Sequence, residues 1–147
     1  MTLKEQLLED MKTAMRDKDS VRKETIQMVR SGILQVEKDQ KVTLDDEGVI
    51  DVIAKEVKRR KDVLPDYEKS GRTELIDGIK AEIDVLLHYL PSQLTEAELE
   101  PIVKETIEEI GAVSMRDMGK IMTAIMPKIK GRADGRTVNE MIKKILS

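Results

Sequence analysis

The chain has no cysteine, which excludes disulfides and thiolate metal sites. It has no Phe, no Trp and two Tyr in 147 residues. A chain so poor in aromatic residues builds its core from Leu, Ile, Val and its nine Met, which suits helix packing better than a β-sandwich. It also makes a poor platform for stacking single-stranded bases. The single histidine, with no cysteine beside it, rules out a Cys–His nucleophile pair. A Ser–His–Asp triad would have to use His88 in LLHYLP, which reads instead as a partly buried histidine beside an apolar helix. Phosphate-loop, dinucleotide-binding and HExxH patterns are missing. No stretch approaches a membrane span, and the charged N-terminus MTLKEQLLEDMKTAM does not read as a signal peptide. These absences favour a cytoplasmic, non-catalytic protein with no metal and no cofactor.

What is present is charge and helical periodicity. Charged residues make up 37% of the chain and hydrophobic ones 39%, a balance that folds. The net charge of −3 conceals an asymmetry. From Gln93 to Asp117, two basic residues stand against seven acidic ones; from Met118 to Ser147, seven basic residues stand against two. Such a concentration bears on partners more than on fold.

Helix signals recur along the whole chain, and no strand pattern competes. Thr2 and Glu5 form a capping box that opens a first helix running to about Lys18. Ser20 is placed to cap a second helix. Thr43 with Asp46 makes a second box and opens a long third helix to about Lys69, which Pro65 should kink or break. Gly71 ends it, and Thr73 begins the apolar-rich ELIDGIKAEIDVLLHYL. Pro91 disfavours helix at Leu90, and YLPSQLTEAELE marks a linker. Thr95 with Glu98 repeats the box for a fifth helix, which Gly111 stops. Ser114 with Asp117 opens a sixth running towards Lys130, with Gly131 as its stop. Asp134 or Thr137 caps the last. The expected fold is all-α: a four-helix bundle over 1–91, a short linker, and a three-helix bundle over 92–147.

Two basic constellations are candidates for contact with a partner. KEVKRRK, residues 55–61, turns Lys55, Lys58 and Arg59 away from the apolar stripe of the third helix, while Arg60 and Lys61 fall on or beside it. Those two should snorkel or pair with acids of a neighbouring helix. The outward face is either ordinary solvated charge or a phosphate-facing surface. In the sixth helix the stripe is Met115, Met118, Ile121, Met122, Ile125 and Ile129. Lys120 lies opposite it, and Lys128 and Lys130 flank it. Beyond Gly131, Arg132 and Arg136 enter a turn beside the last helix's N-terminus, where backbone N–H groups and guanidinium groups suit an anion. Asp134 would compete there as a cap. Met115, Met118, Met122, Met126 and Met141 either line a plastic protein-binding groove or belong to the core.

The segments YLPSQLTEAEL and DMGKIMTAIMPKIKGRADGRTVNEMIKKIL resemble the YqeY-like proteins, of the GatB/YqeY domain family. ETIQMVRSGILQVEKDQ and KRRKDVLPDYEKSGRTEL extend the resemblance over essentially the whole chain. That family shares a domain with the tail of the B-type subunit of the glutamine-dependent aspartyl/glutamyl-tRNA amidotransferase, where the tail contacts tRNA and other domains do the chemistry. The resemblance implies two helical bundles and an RNA-facing role for Lys120, Lys130, Arg132 and Lys128. It implies structural roles for Gly119 (close packing), Gly131 (helix stop), Ala133 and Asp134 (cap). The partner it implies is tRNA or a tRNA-handling enzyme; an accessory role in glutamine-dependent carbon–nitrogen ligation and a protein-adaptor role are the alternatives.

Overall fold

The computed structural model describes residues 1–146, among which there are seven α-helices, one short 3-10 turn and no strand. The helices are α1 Leu3–Arg16, α2 Ser20–Gln40, α3 Asp46–Ser70, α4 Thr73–Leu87, α5 Glu96–Ile110, α6 Met118–Ile129 and α7 Gly135–Leu146. The chain divides into two compact units, one ending at Leu90 and the other starting at Pro91.

In the first unit α2 packs against α1, α3 and α4, and α3 also lies along α4. Leu7, Ile26, Val29, Val49, Ile53 and Leu86 form the fully buried centre of its core. Burying each such side chain contributes about 1.5–3 kcal/mol before chain entropy is subtracted. Tyr89 closes the unit: its hydroxyl donates to Asp10 Oδ2 of α1 at 2.5 Å. Burial first, and the Asp10 carboxylate second, hold that hydroxyl's pKa well above its ordinary value.

Local chemistry explains most helix ends. The Thr2 hydroxyl accepts from Glu5 N and the Glu5 carboxylate accepts from Thr2 N, the expected box. Two other caps lie one or two residues from where the sequence pattern put them. Asp19, not Ser20, caps α2 by accepting from Arg22 N, and Asp45, not Thr43, caps α3 by accepting from Gly48 N. Asp46 instead accepts from Leu3 N, a tertiary contact that competes with local capping. Helix α1 ends at Arg16, and Lys18 takes a left-handed conformation. Pro65 does not end α3, which continues as one helix to Ser70, where Gly71 at φ 70° stops it. Helix α4 stops at Leu87, so His88 caps its end and is exposed rather than tucked against the core.

The second unit buries Leu99, Val103, Ile121, Ile125, Ile129, Val138 and Ile142. Fewer than sixty residues make a small core, near the lower limit of independent stability. The Thr95–Glu98 box opens α5, and Gly111 at φ 67° closes it. The segment from Ser114 begins with a 3-10 turn, Met115–Asp117, and not with α-helix. There Ser114 Oγ accepts from Arg116 N, and Asp117 Oδ2 accepts from Val113 N. Met118, Met122 and Met141 are half-buried against the core, while Met115 and Met126 are exposed.

Candidate nucleic-acid interface

The turn after α6 was the most suggestive feature of the sequence, and its side chains are largely occupied. Gly131, at φ 73°, releases the chain from α6, and Arg132 N and Ala133 N both return to Ile129 O. Asp134 Oδ1 accepts from Thr137 N at 2.8 Å, capping α7. The carboxylate therefore sits where a bound anion would have to sit. Ala133 packs on the core. Gly119 is not explained by close packing: a Cβ there would meet open space.

Arg132 is half-buried, and its Nε donates to Ser92 O at 3.0 Å. Its own carbonyl accepts from Leu94 N at 2.8 Å, and Gln93 Nε2 donates to Gly131 O at 2.7 Å. These three bonds clamp residues 92–94 onto the turn. The charge of Arg132 also helps hold the Glu98 carboxylate below its ordinary pKa, after the larger effects of the Thr95 backbone N–H and hydroxyl. The basic turn is thus first a latch on the segment that enters α5.

Lys128 is committed as well. Its Nζ donates to Glu109 Oε2 at 2.9 Å and to Thr106 Oγ1 at 3.0 Å, tying α6 to α5. Thr106 is fully buried and donates its own proton to Ile102 O, so Lys128 satisfies the acceptor side of a core hydroxyl. Lys130 is half-buried and has a partner of its own. Arg136 is exposed, with Glu140 one turn away at 3.5 Å.

Lys120 remains exposed, with no hydrogen bond or ion pair among the described residues. Arg116, which the sequence pattern did not single out, is its neighbour four residues back, across the junction of the 3-10 turn and α6. Its side chain is likewise exposed and unpaired among the described residues. Spacing alone hid it, because Arg116 belongs to the acidic half of the charge division. Lys143 on α7 is also exposed and without a partner among the described residues.

On α3 of the first unit, Lys55, Lys58 and Arg59 are exposed, and Arg59 lies 3.4 Å from Glu56. Arg60 is buried: its Nη1 bonds Glu56 Oε2 at 2.7 Å, and its Nε reaches Glu82 of α4 at 3.4 Å. Lys61, placed beside the stripe by the sequence pattern, is exposed.

Among the described residues no group of His, Cys, Asp or Glu is arranged to hold a metal ion, and no helix is long and apolar enough to cross a membrane.

The family model described as Yqey-like protein matches residues 4–146. The chain belongs to this family. It is 28% identical over 141 residues to "Altered inheritance of mitochondria protein 41, mitochondrial" of Pyrenophora tritici-repentis, covering 93% of this chain and 77% of that protein. To the protein of the same name in Kluyveromyces lactis it is 31% identical over 150 positions, covering 95% and 81%. It is also similar to the E-type subunit of glutamyl-tRNA(Gln) amidotransferase from Saccharolobus solfataricus, 32% identical over 85 residues. That match covers 58% of this chain but only 13% of the larger protein. The resemblance to a subunit of a tRNA amidotransferase is thereby supported, with an E-type subunit among the relatives found. As a Yqey-like protein, the chain is an all-helical module related in part to a component of that enzyme class.

Proposed function

We propose that this Yqey-like chain is a non-catalytic module that binds tRNA, or an enzyme that handles tRNA, through its second unit. The observation that carries the reading is the pair Arg116 and Lys120, two exposed cations with no internal partner among the described residues, in a chain similar to part of a tRNA amidotransferase. With no Phe or Trp available for stacking, recognition is of phosphate and shape on a folded RNA. Lys143, Arg136 and Arg132 are further cations of the same unit; Lys128 is structural in this reading. Lys55, Lys58 and Arg59 form a secondary face on the first unit.

Filter binding of total tRNA at several salt concentrations tests the proposal. Binding should weaken with salt, and Arg116→Glu with Lys120→Glu should lower the log–log salt slope by roughly two, about 0.9 for each phosphate no longer neutralised. The variant should keep the wild-type helical circular dichroism, because neither side chain holds another in place. Absence of salt-sensitive binding at micromolar protein would sink the RNA reading.

The similarity to an amidotransferase component also favours a second reading, an accessory role in glutamine-dependent amide transfer. Adding the chain to a purified amidotransferase should then change its glutamine-dependent rate, and no change counts against it. Cytoplasmic residence is part of the proposal, and cell fractionation tests it against the mitochondrial name that four of the relatives found carry.

A further inference from the structure

A second feature lies in the first unit, far in sequence from the basic turn. Helices α1 and α2 enclose a half-open groove of about 230 Å³, floored by Leu7, Leu8 and Ile33 and edged by Leu34. Leu34 is 64% exposed although it sits beside this apolar floor. The volume is below the roughly 300–1,000 Å³ of sites for drug-sized ligands, so a small occupant fits.

The groove's charges differ in how they are held. Lys4 and Glu37 pair with each other, and Glu37 also accepts from Leu44 N at 2.7 Å. Those contacts, Lys4 first, hold the Glu37 carboxyl below its ordinary pKa, so the pair is already satisfied. Glu5 is turned back onto Thr2 N in the capping box of α1. Arg30 differs: its one contact is a 3.5 Å approach of Nη1 to the Met11 sulfur, a weak acceptor. No carboxylate reaches it within ion-pair distance among the described residues. Arg30 is half-buried as a residue, its Nε and Nη2 hydrogen-bond no protein group among the described residues and stay open to solvent, and it sits on the wall of an apolar groove.

We propose that this groove is a binding site for a small aliphatic carboxylate, the chain lying on the leucines and the carboxylate taking a bidentate bond from Arg30. A carboxylate would supply the charged acceptor that Arg30 lacks, while the aliphatic part covers Leu34 and the exposed edge of the floor. The proposal is independent of RNA binding by the second unit.

The test is a methyl-detected NMR titration of the whole chain with hexanoate, and with hexanol, hexylamine and acetate as controls. Hexanoate should shift the methyls of Leu7, Leu8, Ile33 and Leu34 saturably. Hexanol, with chain but no charge, should bind about tenfold or more weakly, the scale of one charge-assisted hydrogen bond. Acetate and hexylamine should not saturate. Arg30→Gln should reduce hexanoate to the level of hexanol while leaving hexanol binding and the thermal melt unchanged. Equal binding of hexanoate and hexanol, binding that survives Arg30→Gln, or no saturable shift would each overturn the proposal. Should Arg30→Gln alter the melt, Arg30→Lys provides the second variant. It keeps the charge without the fork, so it should bind hexanoate more weakly than wild type but better than hexanol, and equal affinities there also refute the site.

Discussion

Replacing Arg60 by Ala isolates a buried electrostatic commitment of the first unit. Arg60 is 7% exposed and Glu56 8%. The guanidinium bonds Glu56 through Oε2 at 2.7 Å and through its backbone carbonyl at 3.1 Å, reaches Glu82 at 3.4 Å and touches the Met28 sulfur at 3.0 Å. One side chain of α3 thereby links to α4 and α2. Without it, Glu56 keeps only Arg59, whose side chain is 73% exposed and 3.4 Å away. Breaking a buried pair from one side costs roughly 3–5 kcal/mol, because the remaining charge stays desolvated. Arg59 offsets part of that, so about 3 kcal/mol is expected. A unit of ninety residues is stable by roughly 5–13 kcal/mol, which makes the loss a large fraction.

Urea unfolding can be read for this unit alone, since Tyr67 and Tyr89 are the chain's two tyrosines, both lie in the first unit, and there is no tryptophan. With a urea m-value of about 1.5 kcal/mol/M, the tyrosine-fluorescence midpoint should fall by about 2 M. Circular dichroism, which sees both units, should show the second unit's transition unmoved. The double replacement Glu56→Leu with Arg60→Met should recover most of the loss, since an apolar pair of similar volume removes both desolvated charges. A loss under about 1 kcal/mol for Arg60→Ala would refute the reasoning, and so would a double variant as unstable as the single one. The first result would mean that water reaches the pair; the second, that lost packing and not desolvated charge carries the cost.

Three further outcomes follow from the same structure. Asp134→Ala removes the α7 cap and should cost the second unit about 1 kcal/mol, seen in circular dichroism without a change in the tyrosine transition. Glu37 has a folded pKa below its ordinary 4.5, so its stabilising contribution is complete above that value and disappears as pH falls through the depressed one. Glu37→Gln should therefore flatten the acid side of the first unit's stability profile below about pH 4.5, and an unchanged profile there counts against the Lys4 and Leu44 contacts. Lys128→Met should lower the second unit's stability by about 1 kcal/mol while leaving the tRNA salt slope at its wild-type value; a reduced slope would return Lys128 to the binding surface.

Helix number and type were legible because each helix carries its own instructions. The 3.6-residue apolar stripe, the Thr2–Glu5 and Thr95–Glu98 boxes, and the glycines at 71, 111 and 131 act within four or five residues of themselves. Where a distant group competed, local reading slipped. Asp46 left its capping role to bond Leu3 N, forty-three residues away, and Asp45 took the cap. Pro65 lies inside α3 without ending it, because a missing N–H removes one bond from a helix otherwise held by its packing on α2 and α4.

The candidate interface was legible only as a set of cations. Sequence alone determined that most of the second unit's cations follow Met118 and that no aromatic platform accompanies them. Only tertiary structure decided which are available. Lys128 is consumed by a buried hydroxyl and an acid of α5, and Arg132 by the carbonyl of Ser92, forty residues away. Arg116 and Lys120 are left facing solvent. The reason is physical: a side chain's charge is a property of its own residue. The cost of committing that charge depends on which carbonyls and carboxylates folding brings within about 3 Å, and those lie far away along the chain.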